Sequence, residues 1–170
     1  VWRQVQGTPR VGVDDDFEKG WWKILVRETL SGLGTPGDFD GLFETLWLTF
    51  ADPKRWKLYE GVLEVLPILR ERGYVMAILS NWDKRLRSIL HGLEIDIYFD
   101  HIVISSEVGY EKPDPRIFKL TEERMKLSCG EILHVGDSVY HDADPAHKAG
   151  WKCLVVHHHP ELMERTSSGV

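Results

Sequence analysis

The sequence predicts a three-layer, doubly wound α/β fold, a parallel sheet covered by helices on both faces, with a small helical segment ahead of it. Three observations predict this. From about residue 57 short apolar runs alternate with amphipathic stretches of helical length, the rhythm of βαβ units. Polar residues gather where the apolar runs stop, as in Ser80-Asn81 and Gly136-Asp137-Ser138, and working sites in such sheets lie at the carboxyl ends of strands. Residues 12–56, by contrast, show only helical periodicity.

Residues 1–11 are an irregular lead-in punctuated by Gly and Pro. "DDDFEKGWWKILVRETLSGLG" then predicts a helix, with acids at the start, where the helix dipole favours them, and Gly32 and Gly34 at the end. Trp21, Trp22, Leu25, Val26 and Leu30 form its apolar stripe. A second helix over 38–51 carries Phe39, Leu42, Phe43, Leu46, Trp47 and Phe50 inward, and Asp52-Pro53 ends it. Beyond residue 57 the series is helix 60–72, strand 74–80, helix 83–92, strand 101–105, helix 115–127, strand 131–135, helix 141–149 and strand 152–156. Ile132, Leu133 and Val135 are expected to be buried in their strand. Residues 57–160 thus form the α/β core, and 161–170 a polar tail.

Bulk composition narrows the function classes. The 170 residues suffice for one core domain with a modest insertion. A net charge of −6 without a dense Lys/Arg block argues against nucleic-acid binding, which needs a clustered positive surface. No apolar run approaches a membrane span, and no signal-peptide pattern opens the chain. Cys129 and Cys153 lack metal-type spacing and read as reduced, part-buried thiols, which points to the cytoplasm. An organelle stays open, because the sequence begins with Val1.

In "ILHVGDSVYHDADPAHKAG" two acids, Asp137 and Asp142, follow an apolar strand, where desolvation makes charge expensive. A metal ion, a cationic partner or a proton-transfer role would each explain them. The first core strand ends in Ser80-Asn81, and Lys112 lies in the loop after the second. A hydroxyl with nearby amides, one ammonium and paired carboxylates at one sheet edge suit a phosphoryl group and its divalent cation.

"ILSNWDKRL", "GYEKPDPRIF" and "HVGDSVYHD" resemble motifs two, three and four of the haloacid dehalogenase superfamily, most of whose members are Mg²⁺-dependent phosphatases. The likeness is closest to the branch of haloacid dehalogenase-like hydrolase domain-containing protein 3. It implies a Rossmann-like core with residues 12–56 as a small helical cap. It also implies hydrolysis of a small phosphate monoester, a phosphorylated metabolite, with Mg²⁺ as cofactor. Ser80, Asn81 and Lys112 would bind the phosphoryl group, with Ser80 and Lys112 acting in catalysis. Asp137 would be a magnesium ligand, and Asp142 a ligand or an acid behind the ligands. Trp82 and Trp22 are substrate-pocket candidates, although packing accounts for Trp21, Trp22 and Trp47 as well. The alternatives are a catalytically silent binding or assembly subunit with the same fold, and a metal-free 2-haloacid dehalogenase. Gly136-Asp137-Ser138 with Asp142 argues against the latter.

The resemblance also implies a first strand ending in an Asp-x-Asp nucleophile motif, in the middle of the sheet between the strands bearing Ser80 and Asp137. Asp14-x-Asp16 has the letters, yet it opens an amphipathic helix and reads as an acidic helix N-terminus. Without that strand, buried N–H and C=O groups would go unpaired at about 1–3 kcal/mol each, a large share of the roughly 5–15 kcal/mol that holds a domain together. The expectation is that an upstream segment of the same polypeptide completes the sheet and supplies the nucleophile, and that these residues alone are inactive. His157-His158-His159 reads as the exit from the last strand rather than a metal site, and His141 as either a neighbour of the metal or a solvent-facing residue.

Overall fold

The computed structural model describes residues 15–34 and 37–156. The chain divides into two compact units, Val1–Tyr110 and Glu111–Val170. Asp14, His157-His158-His159 and the tail lie outside the described residues.

In the first unit, helix α1 (Asp15–Leu30) starts within the acidic run, with Asp16 in its first turn. A short 3₁₀ turn, Ser31–Leu33, follows, and Gly34 leaves with φ of +85°, a value glycine adopts without Cβ strain. Helix α2 (Phe39–Ala51) is capped by the Asp38 carboxylate, which accepts from the Gly41 amide at 2.9 Å. Trp21, Phe39 and Phe43 are buried, and Lys19–Glu44 and Lys23–Asp40 ion pairs lie across the two helices at 2.8 and 3.0 Å. The inward stripe expected for α2 is narrower than its pattern: Phe50 is exposed and meets Trp56 edge-on.

Helix α3 (Val62–Glu71), strand β1 (Ala77–Ser80), helix α4 (Arg85–Gly92), strand β2 (His101–Ile104) and the single turn α5 (Ser105–Val108) complete this unit. The strands run parallel, from Ala77 opposite His101 to Ser80 opposite Ile104. Strand β1 starts later than expected. Tyr74 bonds back to the Leu69 carbonyl and is exposed with Val75, and the Asp100 carboxylate takes the Met76 amide at 3.0 Å.

The second unit contains helix α6 (Pro115–Met125), strand β3 (Leu133–Gly136), a π-helical turn (Val139–Ala143), helix α7 (Asp144–Lys148) and strand β4 (Lys152–Val155). Pro115 opens α6, where its missing N–H is harmless, and Asp114 accepts from the Arg116 amide. Its core is Ile117, Phe118, Thr121, Ile132, Ala146 and Trp151. Strands β3 and β4 are parallel, Leu133 opposite Lys152 through Gly136 opposite Val155. The burial expected for β3 is corrected here. Leu133 and Val135 are exposed, whereas Ile132 and His134 face inward. Side chains alternate along a strand, and the inward register goes to His134, whose ring packs on Phe118 and Trp151.

The sheet is therefore present as two parallel pairs, β1–β2 and β3–β4. Among the described residues each strand has one hydrogen-bonded neighbour.

Candidate functional site

Strand β3 ends at Gly136, a position where nothing larger fits. A Cβ there would lie 2.4 Å from Cγ and 2.6 Å from Oδ2 of Asp142. Beyond it the chain makes a widened turn: the Ser138 carbonyl accepts from the amides of both Asp142 and Ala143, at 2.8 and 3.1 Å. Ser138 Oγ accepts from the His141 amide at 3.0 Å. Single π turns of this kind recur at functional sites. Here the turn lays the Asp142 carboxylate back over the strand end.

Three donors converge on that carboxylate. Lys112 Nζ and His134 Nε2 both reach Oδ1, at 2.6 and 2.9 Å, and the Ser138 amide donates to Oδ2 at 3.0 Å. The residue is 3% exposed, and the Lys112 side chain is also largely buried. Burial pushes the Asp142 carboxyl toward protonation. The hydrogen bonds from His134 and Lys112, the Lys112 charge and the Ser138 amide outweigh it and hold the group well below the usual carboxylate range. Asp142 is thus an anion at any ordinary pH.

Of the three explanations the sequence allows for the paired acids, a cationic partner accounts for Asp142. With both its oxygens engaged by protein donors, Asp142 stands in the arrangement of an acid that holds Lys112. Asp137 is different: it is exposed at the end of β3. Among the described residues no group of three or more His, Cys, Asp or Glu side chains could cage a metal. Mg²⁺ in general keeps several waters and is bound through one or two carboxylates together with substrate phosphate, so it requires no such cage.

Ser80, Asn81, Trp82 and Trp22 belong to the first unit. Ser80 is the last residue of β1. Trp82 is fixed by its backbone, its amide donating to Ser105 Oγ at 3.1 Å and its carbonyl accepting from that hydroxyl at 3.0 Å. Its ring meets Trp56 edge-on at 5.3 Å. Its indole N–H is buried and meets no acceptor among the described residues. Trp22 sits in α1, edge-on to buried Trp21 at 5.4 Å, as a packing residue would. In the second unit, His141 Nδ1 lies 3.2 Å from Ser138 Oγ, with Tyr140 edge-on to the imidazole. The thiols are free, Cys129 being exposed rather than part-buried and Cys153 half-buried.

His134 is the member of the cluster that the sequence did not suggest. Its signal is a polar residue at the inward register of an apolar strand, two residues before the glycine turn.

A parallel α/β core with a lysine and a carboxylate paired at a strand end is the frame in which the relatives of this chain are compared. The chain belongs to the haloacid dehalogenase-like hydrolase family, whose model matches residues 14–150. It is 35% identical over 138 residues to haloacid dehalogenase-like hydrolase domain-containing protein 3 of Mus musculus, covering 80% of this chain and 55% of that protein. It is 31% identical over 172 residues to glyceraldehyde 3-phosphate phosphatase of Pyrococcus abyssi, covering 88% and 69%. Among solved structures, a HAD phosphatase from Thermococcus onnurineus superposes with a TM-score of 0.66 at 25% identity, over 85% of this chain and 71% of that one. The chain spans little more than half the length of the mouse relative. No helix among the described residues is long and apolar enough to cross a membrane.

Proposed function

We propose that the complete polypeptide is a Mg²⁺-dependent phosphatase acting on a small phosphate monoester, a phosphorylated metabolite. The buried Lys112–Asp142 pair at the end of β3, beside an exposed Asp137, carries this reading. A lysine held in place by a buried anion is the group that transfer of a phosphoryl needs, since positioning and charge stabilisation are most of that catalysis. The name of the Pyrococcus abyssi relative supports the same substrate class.

In this reading an aspartate outside these 170 residues attacks phosphorus, the alcohol departs, and water hydrolyses the aspartyl-phosphate. Lys112 lies against the negative charge shared by nucleophile and phosphoryl group. Asp142 holds that ammonium in place and stays ionised throughout. Ser80 and Asn81 donate hydrogen bonds to phosphate oxygens, an assignment resting on their motif at the strand end. Asp137 would hold Mg²⁺, which when bound neutralises phosphate charge.

Asp137→Asn in the full-length protein tests the proposal. The expected outcome is weakened Mg²⁺ activation and a fall in turnover of about two orders of magnitude or more on a generic aryl phosphate, as for loss of a metal ligand. Unchanged Mg²⁺ dependence and turnover overturn the assignment. A wild-type protein that binds phosphate without hydrolysing it would instead be a silent binding subunit.

A further inference from the structure

We propose that His134 is a positioning residue for Lys112, acting through Asp142; the assignment rests on the phosphatase reading. The imidazole reaches Asp142 Oδ1 at 2.9 Å, the same oxygen that takes Lys112 Nζ at 2.6 Å. Asp142 is an anion, so Nε2 carries the proton in this bond.

The ring itself is held. It is 9% exposed on the inward face of β3, edge-on to Phe118 and tilted against Trp151, both at 6.1 Å between centroids. Trp151 is anchored in turn by its indole N–H, which donates to Glu122 Oε1 at 2.7 Å. Packing thus fixes the imidazole, the imidazole and the Ser138 amide fix the two carboxylate oxygens, and the carboxylate fixes the ammonium. Lysine needs such a support, because its charge sits on a flexible four-carbon stem. Without His134 the carboxylate plane would be set by Ser138 alone at one oxygen, and Lys112 would follow any rotation of the other.

Filling space would not require this residue. A leucine or phenylalanine would pack against Phe118 and Trp151 without burying a polar ring, which is unfavourable unless hydrogen-bonded. The donor, rather than the bulk, distinguishes His134.

The test compares His134→Phe, which keeps the aromatic packing and loses the donor, with His134→Gln, whose amide N–H restores it. Both are made in the full-length protein and assayed with para-nitrophenyl phosphate and Mg²⁺. The expected result is a fall in kcat of about 10–100-fold for His134→Phe, the usual effect of removing a partner behind a first ligand. KM stays close to wild type, and most of kcat returns in His134→Gln. Wild-type kcat in the Phe variant, or equal losses in both variants, overturns the proposal.

A second measurement does not depend on activity or on folding of a variant with an apolar residue at 134. Nitrogen-15 NMR of the wild-type imidazole should show the Nε2–H tautomer with a downfield proton, moving upfield in Asp142→Asn, where a neutral acceptor replaces the charged one. An Nδ1–H tautomer, or a resonance indifferent to Asp142→Asn, refutes the positioning role. If the wild-type protein hydrolyses no phosphate ester, the phosphatase reading fails, and these resonances alone decide whether His134 supports the pair.

Discussion

Among the described residues each unit holds a largely buried pair of a basic and an acidic side chain, Arg85–Asp83 and Lys112–Asp142, and the two are built differently. In the first, Arg85 and Asp83 are two residues apart, and every nitrogen of the guanidinium is used. Nε and Nη2 reach the two Asp83 oxygens at 2.8 and 2.6 Å, and Nη1 donates to the Trp47 carbonyl at 2.9 Å. The guanidinium also lies 3.2 Å over the Trp47 ring, so α4 is tied to α2 through one saturated side chain. In the second unit, Lys112 and Asp142 are 30 residues apart, and both oxygens of the acid are engaged by protein donors. Where the cation is consumed by its neighbours, the pair is structural. Where the anion is consumed and serves to hold a lysine, the pair is the candidate site. Arg and Lys suit these two roles because one is a planar fork and the other a point charge.

The largest effect that would test this contrast is expected for Asp142→Ala. It removes the acceptor of three donors, the buried Lys112 ammonium among them. Breaking a buried pair from one side costs about 3–5 kcal/mol, so the denaturant midpoint should fall sharply and phosphatase activity should vanish with it. A loss below about 1 kcal/mol, the range of a surface pair, would show that Lys112 finds water instead and that the pair is not buried in solution.

A smaller effect separates the acid's charge from its bulk. The folded Asp142 carboxyl titrates below its unfolded value, which is about 3.9. The unfolded chain therefore takes up the proton first. Stability contributed by this group is fully present above about pH 4 and is lost as pH falls through the folded value. Asp142→Asn should flatten the acid limb of the stability curve below about pH 4 while lowering the plateau above it. An acid limb identical to wild type would mean that other carboxylates govern it.

The series of elements was legible in the sequence because it rests on periodicity, which alternating apolar runs state directly. Lys112 and Asp142, each weak as a signal alone, were singled out as parts of one set at the strand ends and by the motifs they resemble, and the structure pairs them. What joined them was not legible. Nothing in "GDSVYHD" announces a π turn, which arises because Ser138 offers one carbonyl to two amides. The inward register of β3 was misjudged for a related reason. Leu133 and Val135 are more apolar than His134, but the inward register also carries Ile132, and the imidazole is accommodated there by packing on Phe118 and Trp151 and by its hydrogen bond to Asp142. Asp83 and Arg85 gave no sequence signal either, because their third partner is a backbone carbonyl 38 residues away.

The smallest expected effect concerns that third partner. Arg85→Lys keeps the charge beside Asp83 and gives up the fork. A single ammonium cannot reach two carboxylate oxygens and the Trp47 carbonyl in the same plane, nor stack flat on the indole. The side chain is partly exposed, so solvent offsets some of the loss, and a fall in stability of about 1 kcal/mol is expected, near the net value of one hydrogen bond. Turnover on an aryl phosphate should stay at the wild-type level, because the pair serves packing between α2 and α4. A thermal melt beside a kcat measurement checks both. If kcat falls while the melting temperature holds, Arg85 acts on substrate, and the division between a structural pair and a working pair is wrong.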